Sequence, residues 1–233
     1  MYVDVVLSPA ESDLYDFSGK TAVVIDVFRF ATTIQVALEA GITAFFPVQE
    51  VEEAFRLQER TPSFLLAGER NALKVPGFDF GNSPLEHVGK EYGGGRLICT
   101  TTNGTRGLYS AAAAEEVVVA SLRSAEAVAR YIKDLGRDVI ILAAGSAGRF
   151  SLEDVWCAGL ILSYLPEAEF EDGALTARAL YGEVGLAQVR NSAHGRILQS
   201  LGMEEDLDFC LRLNESSRVV LWDPKTGWGV LES

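Results

Sequence analysis

The sequence lacks the features that mark membrane-spanning and secreted proteins. Its longest apolar runs stop well short of the roughly 18 residues that a membrane span needs. Residues 2–7 read as a strand, with no basic or apolar signal region before them, so we expect no export signal. The three cysteines, Cys99, Cys157 and Cys210, are too widely spaced for a disulfide framework or a CxxC metal site. These absences favour a cytoplasmic protein.

Positive charge is also scarce. The 233 residues contain 20 Lys and Arg against 33 Asp and Glu, which gives a net charge of −13 at pH 7. This balance disfavours nucleic acid and anionic membranes as partners, although arginines and a metal ion in one pocket still permit a small anionic substrate. We interpret the acidic stretches 167–172 and 204–208 as solvated faces. The apolar content of 48% is typical of a folded chain.

Short β-branched runs alternate with amphipathic segments along most of the chain. We predict strands over residues 3–7, 21–25, 44–48, 63–67, 96–100, 117–120 and 138–143. We predict helices over residues 32–40, 51–59, 84–90, 105–113, 124–135 and 152–165. This alternation predicts an α/β fold, with three layers in the order α/β/α and a mainly parallel or mixed sheet.

The pattern becomes more helical after about residue 165. Helices are predicted over residues 174–181, 196–201 and 206–213, and a hairpin over residues 219–222 and 228–231. We therefore expect a core of residues 1–165 that carries most site loops. Residues 166–233 should pack on it as a helical portion and hairpin, in one compact unit. Exposed Trp222 and Trp228 would mark the contact of a homodimer, and a hairpin packed on the core is the alternative.

The first candidate site segment follows the strand at residues 21–25. That strand ends in Asp26, and Arg29 lies three residues later. Ligands of α/β proteins bind at the carboxyl ends of parallel strands. A carboxylate there suits Mg²⁺, and a guanidinium suits phosphate. A structural Asp–Arg pair that caps the next helix is the alternative.

A second strand end and its loop repeat this chemistry. Glu69 and Arg70 end the strand, and a glycine-rich loop with Asp79, Asn82 and Ser83 then enters a helix. Such a helix start can bind an anion, and a surface loop with a good helix cap is the alternative.

The third segment, residues 100–107, is rich in hydroxyl groups. Its candidates for phosphate contacts are Thr101, Thr102, Asn103, Thr105 and Arg106. It is not a Walker loop, because the Gly-Lys-Ser/Thr ending is missing. A threonine-rich turn without a ligand is the alternative.

The fourth segment joins the strand at residues 138–143 to an acidic helix start. A glycine turn with Arg149 leads to Glu153 and Asp154, of which one can face the pocket as a metal ligand while the other complements the helix dipole. The turn does not match GxGxxG, which weakens the hypothesis of a nucleotide-dependent oxidoreductase.

A fifth segment contributes His194 and Arg196, as an acid or as anion contacts. A surface histidine is the alternative, and we predict that His87 is structural.

Together these segments resemble the 2-phosphosulfolactate phosphatase family, in order across residues 2–210. The resemblance rests on the motifs Asp-Val-Phe-Arg at 26–29, Gly-Glu-Arg at 68–70, Gly-Phe-Asp-Phe-Gly-Asn-Ser-Pro at 77–84, Thr-Thr-Thr-Asn-Gly-Thr at 100–105, Ser-Leu-Glu-Asp at 151–154 and His-Gly-Arg at 194–196. Phe30 stands where we expect a small residue. The resemblance implies an Mg²⁺-dependent hydrolase that converts 2-phospho-3-sulfolactate and water to 3-sulfolactate and phosphate. In methanogens this step belongs to coenzyme M biosynthesis.

We therefore predict a composite site with three sets of residues. The metal ligands are drawn from Asp26, Glu69, Asp79, Glu153 and Asp154. The catalytic residues are Asp26, Arg29, Glu69, Glu153 and Asp154. The substrate contacts are Arg70, Asn82, Ser83, Thr101, Thr102, Asn103, Thr105, Arg106, Arg149, His194 and Arg196. Direct attack by water is preferred over Asp26 as a covalent nucleophile. A non-catalytic sensor of a small phosphorylated anion is the alternative function.

Overall fold

The computed structural model describes residues 1–232, and one mixed sheet organises them. Its strands stand in the order β5-β4-β6-β3-β11-β10-β7-β2-β8-β1-β9. In chain order they are β1 (Tyr2–Val6), β2 (Thr21–Ile25), β3 (Ala44–Pro47), β4 (Leu65–Arg70), β5 (Leu73–Lys74), β6 (Arg96–Thr100), β7 (Glu116–Ala120), β8 (Val139–Ala143), β9 (Glu169–Phe170), β10 (Val220–Trp222) and β11 (Gly229–Leu231).

Helices cover both faces of this sheet. They are α1 (Phe30–Glu39), α2 (Val51–Arg60), α3 (Gly104–Ser110), α4 (Ala125–Leu135), α5 (Leu152–Ser163), α6 (Asp172–Glu183), α7 (Leu186–Arg190), α8 (Ala193–Ser200) and α9 (Glu204–Cys210). The three-layer α/β prediction and its more helical C-terminal portion are confirmed. Within residues 1–232, none of the helices combines the length and apolar character required to cross a bilayer.

One half of the sheet consists of the parallel strands β7, β2, β8, β1 and β9. Val23 of β2 lies opposite Val118 of β7 and Ile141 of β8. All three are fully buried, because helices cover both faces of these strands. This explains why β2 and β8 read as unbroken apolar runs rather than as alternating ones.

The other half consists of β3, β6 and β4, also parallel, with β5 at the edge. Strand β5 returns antiparallel to β4, with Arg70 opposite Leu73. The two residues between them, Asn71 and Ala72, have φ angles of 54° and 66°. This is the signature of a type I′ hairpin turn, in which asparagine is favoured and alanine is strained.

The C-terminal hairpin joins these two halves. Strand β10 pairs with β7 and strand β11 pairs with β3, both antiparallel. Gly229 makes the second contact feasible, since a Cβ there would lie 2.0 Å from Cε1 of Phe45. The hairpin is thus part of the sheet itself. The expectation that Trp222 is exposed is wrong, because its side chain is buried within the sheet layer.

The sheet curves so that its two halves approach each other around α1. Five strand spacings separate β6 from β2, which would amount to roughly 24 Å in a flat sheet. Yet a Cβ on Gly104, just after β6, would lie 2.7 Å from Asp26 Oδ2, just after β2. A single core cluster contains α1 residues such as Ile34 together with side chains of both halves, such as Leu97 and Val24.

Most predicted helices differ from the observed ones by one to three residues at an end, and two of the differences have a clear local cause. The segment 84–90 forms only a 3₁₀ turn, Pro84–Glu86, because the Glu86 carboxylate turns back to accept from the Gly81 N–H at 2.7 Å. Helix α1 begins at Phe30 rather than at residue 32, because Asp26 accepts from the first two backbone N–H groups of the helix.

Candidate active site

A pocket of about 230 Å³ lies where the carboxyl ends of β2, β4, β6 and β8 converge. Its lining consists of Asp26, Phe28, Arg29, Glu69, Asn71, Ala72, Asn82, Thr102, Asn103, Ser146, Ala147, His194 and Ile197. Seven of our predicted site residues belong to this lining: Asp26, Arg29, Glu69, Asn82, Thr102, Asn103 and His194. The lining places acidic, basic and amide groups around one volume, which is the arrangement of a site for a small anion.

Two buried carboxylates, Asp26 and Glu69, come from opposite halves of the sheet. Asp26 is 4% exposed, and its Oδ1 accepts from the Phe30 N–H at 3.2 Å. Glu69 is 6% exposed and is held at both oxygens, by the Thr102 N–H at 2.7 Å and the Ala72 N–H at 2.8 Å. Each carboxylate is therefore fixed by backbone donors.

Asp26 is the carboxylate whose pKa is most clearly tied to the pocket. Burial raises its pKa to about 7, and the charges of Glu69 and Glu153 add to the rise. The charge of His194 and the hydrogen bond from Phe30 act against it. A bound cation or a protonated His194 would favour the ionised form of Asp26.

Arg29 precedes α1 and reaches the pocket with a guanidinium that is held at two points. Its Nη1 lies 2.5 Å from Asp206 Oδ2, and its Nη2 donates to the Ala72 carbonyl at 2.7 Å. The Phe28–Arg29 peptide bond is cis. Within residues 1–232, Arg29 is the one arginine of the lining.

His194, which is partly exposed to the pocket, pairs with the buried Glu153. His194 Nδ1 lies 3.0 Å from Glu153 Oε1, and its ring meets Phe28 edge-on at 6.0 Å between centroids. Burial lowers the pKa of His194, but the hydrogen bond and charge of Glu153 outweigh it, so the net shift is upward. The pKa of Glu153 is lowered, because His194 more than offsets the effect of burial. With Nδ1 engaged, Nε2 is the ring nitrogen that can meet a substrate.

Asp154 lies behind the pocket rather than in its lining. Its Oδ1 accepts from the Val27 N–H at 2.8 Å and its Oδ2 from the Gly145 N–H at 3.0 Å. Burial and the charges of Glu153 and Asp26 raise its pKa well above the ordinary value. Asp154 thus ties the end of β2 to the loop after β8.

Neutral polar groups complete the pocket wall. Asn82 comes from the glycine-rich loop, and its carbonyl accepts from Thr33 Oγ1 at 3.0 Å. The Asn103 Oδ1 accepts from the Ala147 N–H at 3.1 Å, which joins the loop after β6 to the loop after β8. Ser146 lines the same side. These amide and hydroxyl groups can bind anion oxygens without adding charge.

The remaining predicted arginines lie outside the lining. Arg70 donates to the carbonyls of Glu69 and Gln49, and Arg196 donates to the carbonyl of Asn191. Arg106 and Arg149 are exposed. Their assignment to the substrate stays a prediction.

Four further predicted residues also have partners away from the lining. Asp79 accepts from the Leu66 N–H at 2.8 Å, and Ser83 Oγ lies 2.5 Å from Asp206 Oδ1. Thr101 and Thr105 bond to each other around the first turn of α3, with Thr105 Oγ1 donating to the Thr101 carbonyl at 2.9 Å. Their predicted roles likewise stay predictions.

Sequence reasoning missed several residues that shape the pocket. Asn71, Ala72 and Ile197 line it, and Asp206 holds Arg29. The Asn71–Ala72 turn had a weak local signal, because asparagine tolerates the left-handed conformation and is favoured in turns. Asp206 had none, since its partner lies 177 residues away.

The donor set fits a magnesium ion that keeps water and substrate oxygens among its ligands. Among residues 1–232, no three His, Cys, Asp or Glu side chains form a ready metal cage. Magnesium commonly binds through one or two carboxylates, and Asp26 and Glu69 line the pocket. Glu153 is not part of the lining, although its charge acts on Asp26, and its Oε2 is buried with no hydrogen-bond partner among the described residues.

Comparisons with known proteins agree on one family. The family profile described as 2-phosphosulpholactate phosphatase matches residues 6–225. A Clostridium perfringens strain SM101 protein is 40% identical over 223 residues, which cover 92% of this chain and 90% of the relative. A Symbiobacterium thermophilum protein is 44% identical over 216 residues, covering 89% and 91%. A Thermotoga maritima protein is 39% identical over 211 residues, covering 89% of each. All three carry the name "Probable 2-phosphosulfolactate phosphatase".

Proposed function

The chain belongs to the 2-phosphosulfolactate phosphatase family, and from this premise we propose that it hydrolyses 2-phospho-3-sulfolactate to 3-sulfolactate and inorganic phosphate. One observation carries the proposal. A single pocket brings together Asp26 and Arg29 after β2, Glu69 on β4, and Asn103 after β6. In the reaction, water attacks phosphorus and becomes the fourth oxygen of phosphate, and the bond from phosphorus to the C2 oxygen breaks. The C2 oxygen gains one proton and the attacking water loses one, so no net proton is taken up.

Arg29 and the amide wall would bind the phosphoryl oxygens. A guanidinium can donate two parallel hydrogen bonds to phosphate. Asn82, Thr102 and Asn103 supply further polar groups without competing for charge. Fixed donors of this kind stabilise charge as it develops on the transferring group.

The charge of the lining supports magnesium as the cofactor. Arg29 is already paired with Asp206, whereas Asp26 and Glu69 would repel a phosphate dianion. Asp26 and Glu69 would hold Mg²⁺, with water and phosphate oxygens as the other ligands. When bound, the ion neutralises charge on the phosphoryl oxygens.

His194 would supply the proton for the leaving group. Glu153 fixes its Nδ1 and raises its pKa, so the imidazole keeps its proton to a higher pH than an unperturbed histidine does. Proton donation to the C2 oxygen turns a poor leaving group into an alcohol. Asp26 as a covalent nucleophile is the competing route. A rapid-quench phosphoenzyme burst that disappears in Asp26→Asn would establish that route instead.

The first test is phosphate release from 2-phosphosulfolactate, phosphoglycolate and phospholactate, each with Mg²⁺ and with excess EDTA. We expect Mg²⁺-dependent release that is fastest on the sulfonate. Full activity in EDTA would refute the metal proposal. Faster release from another acid would change the substrate, and saturable binding without release would favour a sensor of a phosphorylated anion.

We also propose a cytoplasmic location, which the three buried free cysteines support. A homodimer stays a prediction from the sequence.

A further inference from the structure

One carboxylate from the C-terminal part of the chain is buried against the pocket. Helix α9 opens with Glu204, Glu205 and Asp206, yet Asp206 alone of these is buried, with 6% of its surface exposed. The sequence predicts a solvated acidic face here, which is wrong for Asp206. A buried carboxylate is costly unless it is paired and hydrogen-bonded. The contacts of Asp206 therefore need a specific explanation.

Both oxygens of Asp206 are engaged by residues of the sheet core. Oδ2 lies 2.5 Å from Arg29 Nη1, and Oδ1 lies 2.5 Å from Ser83 Oγ. Ser83 fixes the carboxylate, and the carboxylate in turn fixes the guanidinium. This connects the glycine-rich loop, α9 and the start of α1 at one point.

The Arg29 guanidinium is consequently oriented before any ligand arrives. Asp206 holds Nη1, and the Ala72 carbonyl holds Nη2 at 2.7 Å. A guanidinium has five N–H donors, so donors remain for an anion in the pocket. The loss of rotamer freedom that ordering an arginine side chain requires therefore occurs on folding and not on phosphate binding.

Asp206 also has an opposing effect on anion binding. Its negative charge cancels part of the attraction that Arg29 exerts on phosphate. If the charge of Asp206 dominated, replacing Asp206 by a neutral residue would strengthen phosphate binding. If the orientation of Arg29 dominated, the same replacement would weaken phosphate binding. The sign of the change therefore separates the two effects.

We propose that Asp206 is a positioning residue that fixes the Arg29 guanidinium for phosphate binding. This inference rests on the proposed function, in which Arg29 contacts the phosphoryl group. Asp206 itself does not line the pocket, so it acts through Arg29.

The test is a double-mutant cycle of Asp206→Asn and Arg29→Gln. Two quantities are measured: kcat/KM on 2-phosphosulfolactate and the competitive inhibition constant of inorganic phosphate. We expect Asp206→Asn to lower kcat/KM about tenfold and to raise the phosphate constant about tenfold. In the Arg29→Gln background the same change should cost less than about twofold, because the residue to be positioned is gone. Asp206→Glu, which keeps the charge, should recover part of the loss.

Asp208→Asn is the matched control on the same helix. Asp208 is 60% exposed and pairs with Arg190 Nε at 2.6 Å on the surface. It loses the same charge by the same substitution, and we expect both constants to stay within about twofold of wild type. Tighter phosphate binding in Asp206→Asn, or equal losses in both Arg29 backgrounds, would overturn the inference.

A readout without turnover separates this inference from the proposed function. Inorganic phosphate that binds the folded protein raises its Tm. If wild type releases no phosphate from substrate, the proposed function fails, and the Tm shift still compares Asp206→Asn with wild type. If phosphate raises the Tm of neither, Arg29 is no phosphate contact and the inference is wrong. If Asp206→Asn does not fold, the same measurements on Asp206→Glu decide, with weaker phosphate binding than wild type expected.

Discussion

Gly104, at the start of α3, leaves no room for a side chain beside Asp26. A Cβ at this position would lie 2.4 Å from Phe30 Cδ1 and 2.7 Å from Asp26 Oδ2. Phe30 cannot easily retreat, because it is 1% exposed and packs edge-on against Phe45. We predict that Gly104→Ala damages both the core and the carboxylate of Asp26.

The magnitude follows from these distances. The contact with Phe30 would be about 1 Å shorter than ordinary van der Waals contact. Overpacking of this kind costs about 1 to 3 kcal/mol, and alanine in place of glycine in a helix returns at most about 1 kcal/mol. Displacing Asp26 by a similar distance would lower kcat/KM roughly 100-fold, since misplacement of a reacting group by 1 Å has that effect.

The assay combines Tm with kcat/KM for phosphate release. Gly182→Ala in α6 is the matched control, because a Cβ there meets nothing within 4 Å. We expect the control to gain about 0.5 to 1 kcal/mol of stability with unchanged turnover. Near-normal turnover in Gly104→Ala would refute the reasoning. It would mean that Asp26 takes no part in the reaction, or that the loop after β6 moves away without displacing Asp26.

Three other predictions test the pocket and its surroundings. Burial lowers the pKa of His87 to about 4, so unfolding takes up a proton below pH 6.5. As the pH falls from 6.5 to 4, the free energy of unfolding of wild type should drop by up to about 3 kcal/mol relative to that of His87→Gln. Urea denaturation measures both, and an equal pH dependence in the two proteins would contradict this prediction. Ala72→Gly should stabilise the protein by about 1 kcal/mol, because glycine adopts the φ of 66° without strain. It should change kcat/KM little, because the backbone bonds to Arg29 and Glu69 remain. A loss of stability would show that the packing of the methyl group outweighs the strain. Glu153→Gln should lower the pKa of His194, because burial then acts without the opposing charge of Glu153. An NMR titration of the His194 and His87 imidazoles measures the shift, and an unchanged His194 curve would refute the prediction.

The sequence was a good guide to which strand ends meet at the candidate pocket. Strands β2 and β6 have the predicted bounds, because each is a short apolar run whose neighbours are charged, glycine or polar residues. The rule that ligands of α/β proteins bind at the carboxyl ends of parallel strands predicts this edge of the sheet, and Asp26, Glu69 and Asn103 line one pocket there.

Side-chain direction and distant contacts were beyond the reach of the same pattern. Thr102 faces the pocket, while Thr101 and Thr105 bond to each other, and spacing alone does not separate these cases. Arg70 donates to nearby carbonyls and does not line the pocket, and this choice depends on the side-chain rotamer. The burial of Asp206 depends on a tertiary contact that no local pattern contains.

The place of the C-terminal hairpin has a consequence for how the chain is made. Every residue of the pocket lining precedes residue 198, whereas β10 and β11, which join the two halves of the sheet, leave the ribosome later. During vectorial synthesis the nascent chain therefore holds all the chemical groups of the site before their scaffold is joined. We expect activity to appear only after translation of the hairpin, so that a ribosome stalled just before it would display an intact set of pocket residues and no working pocket.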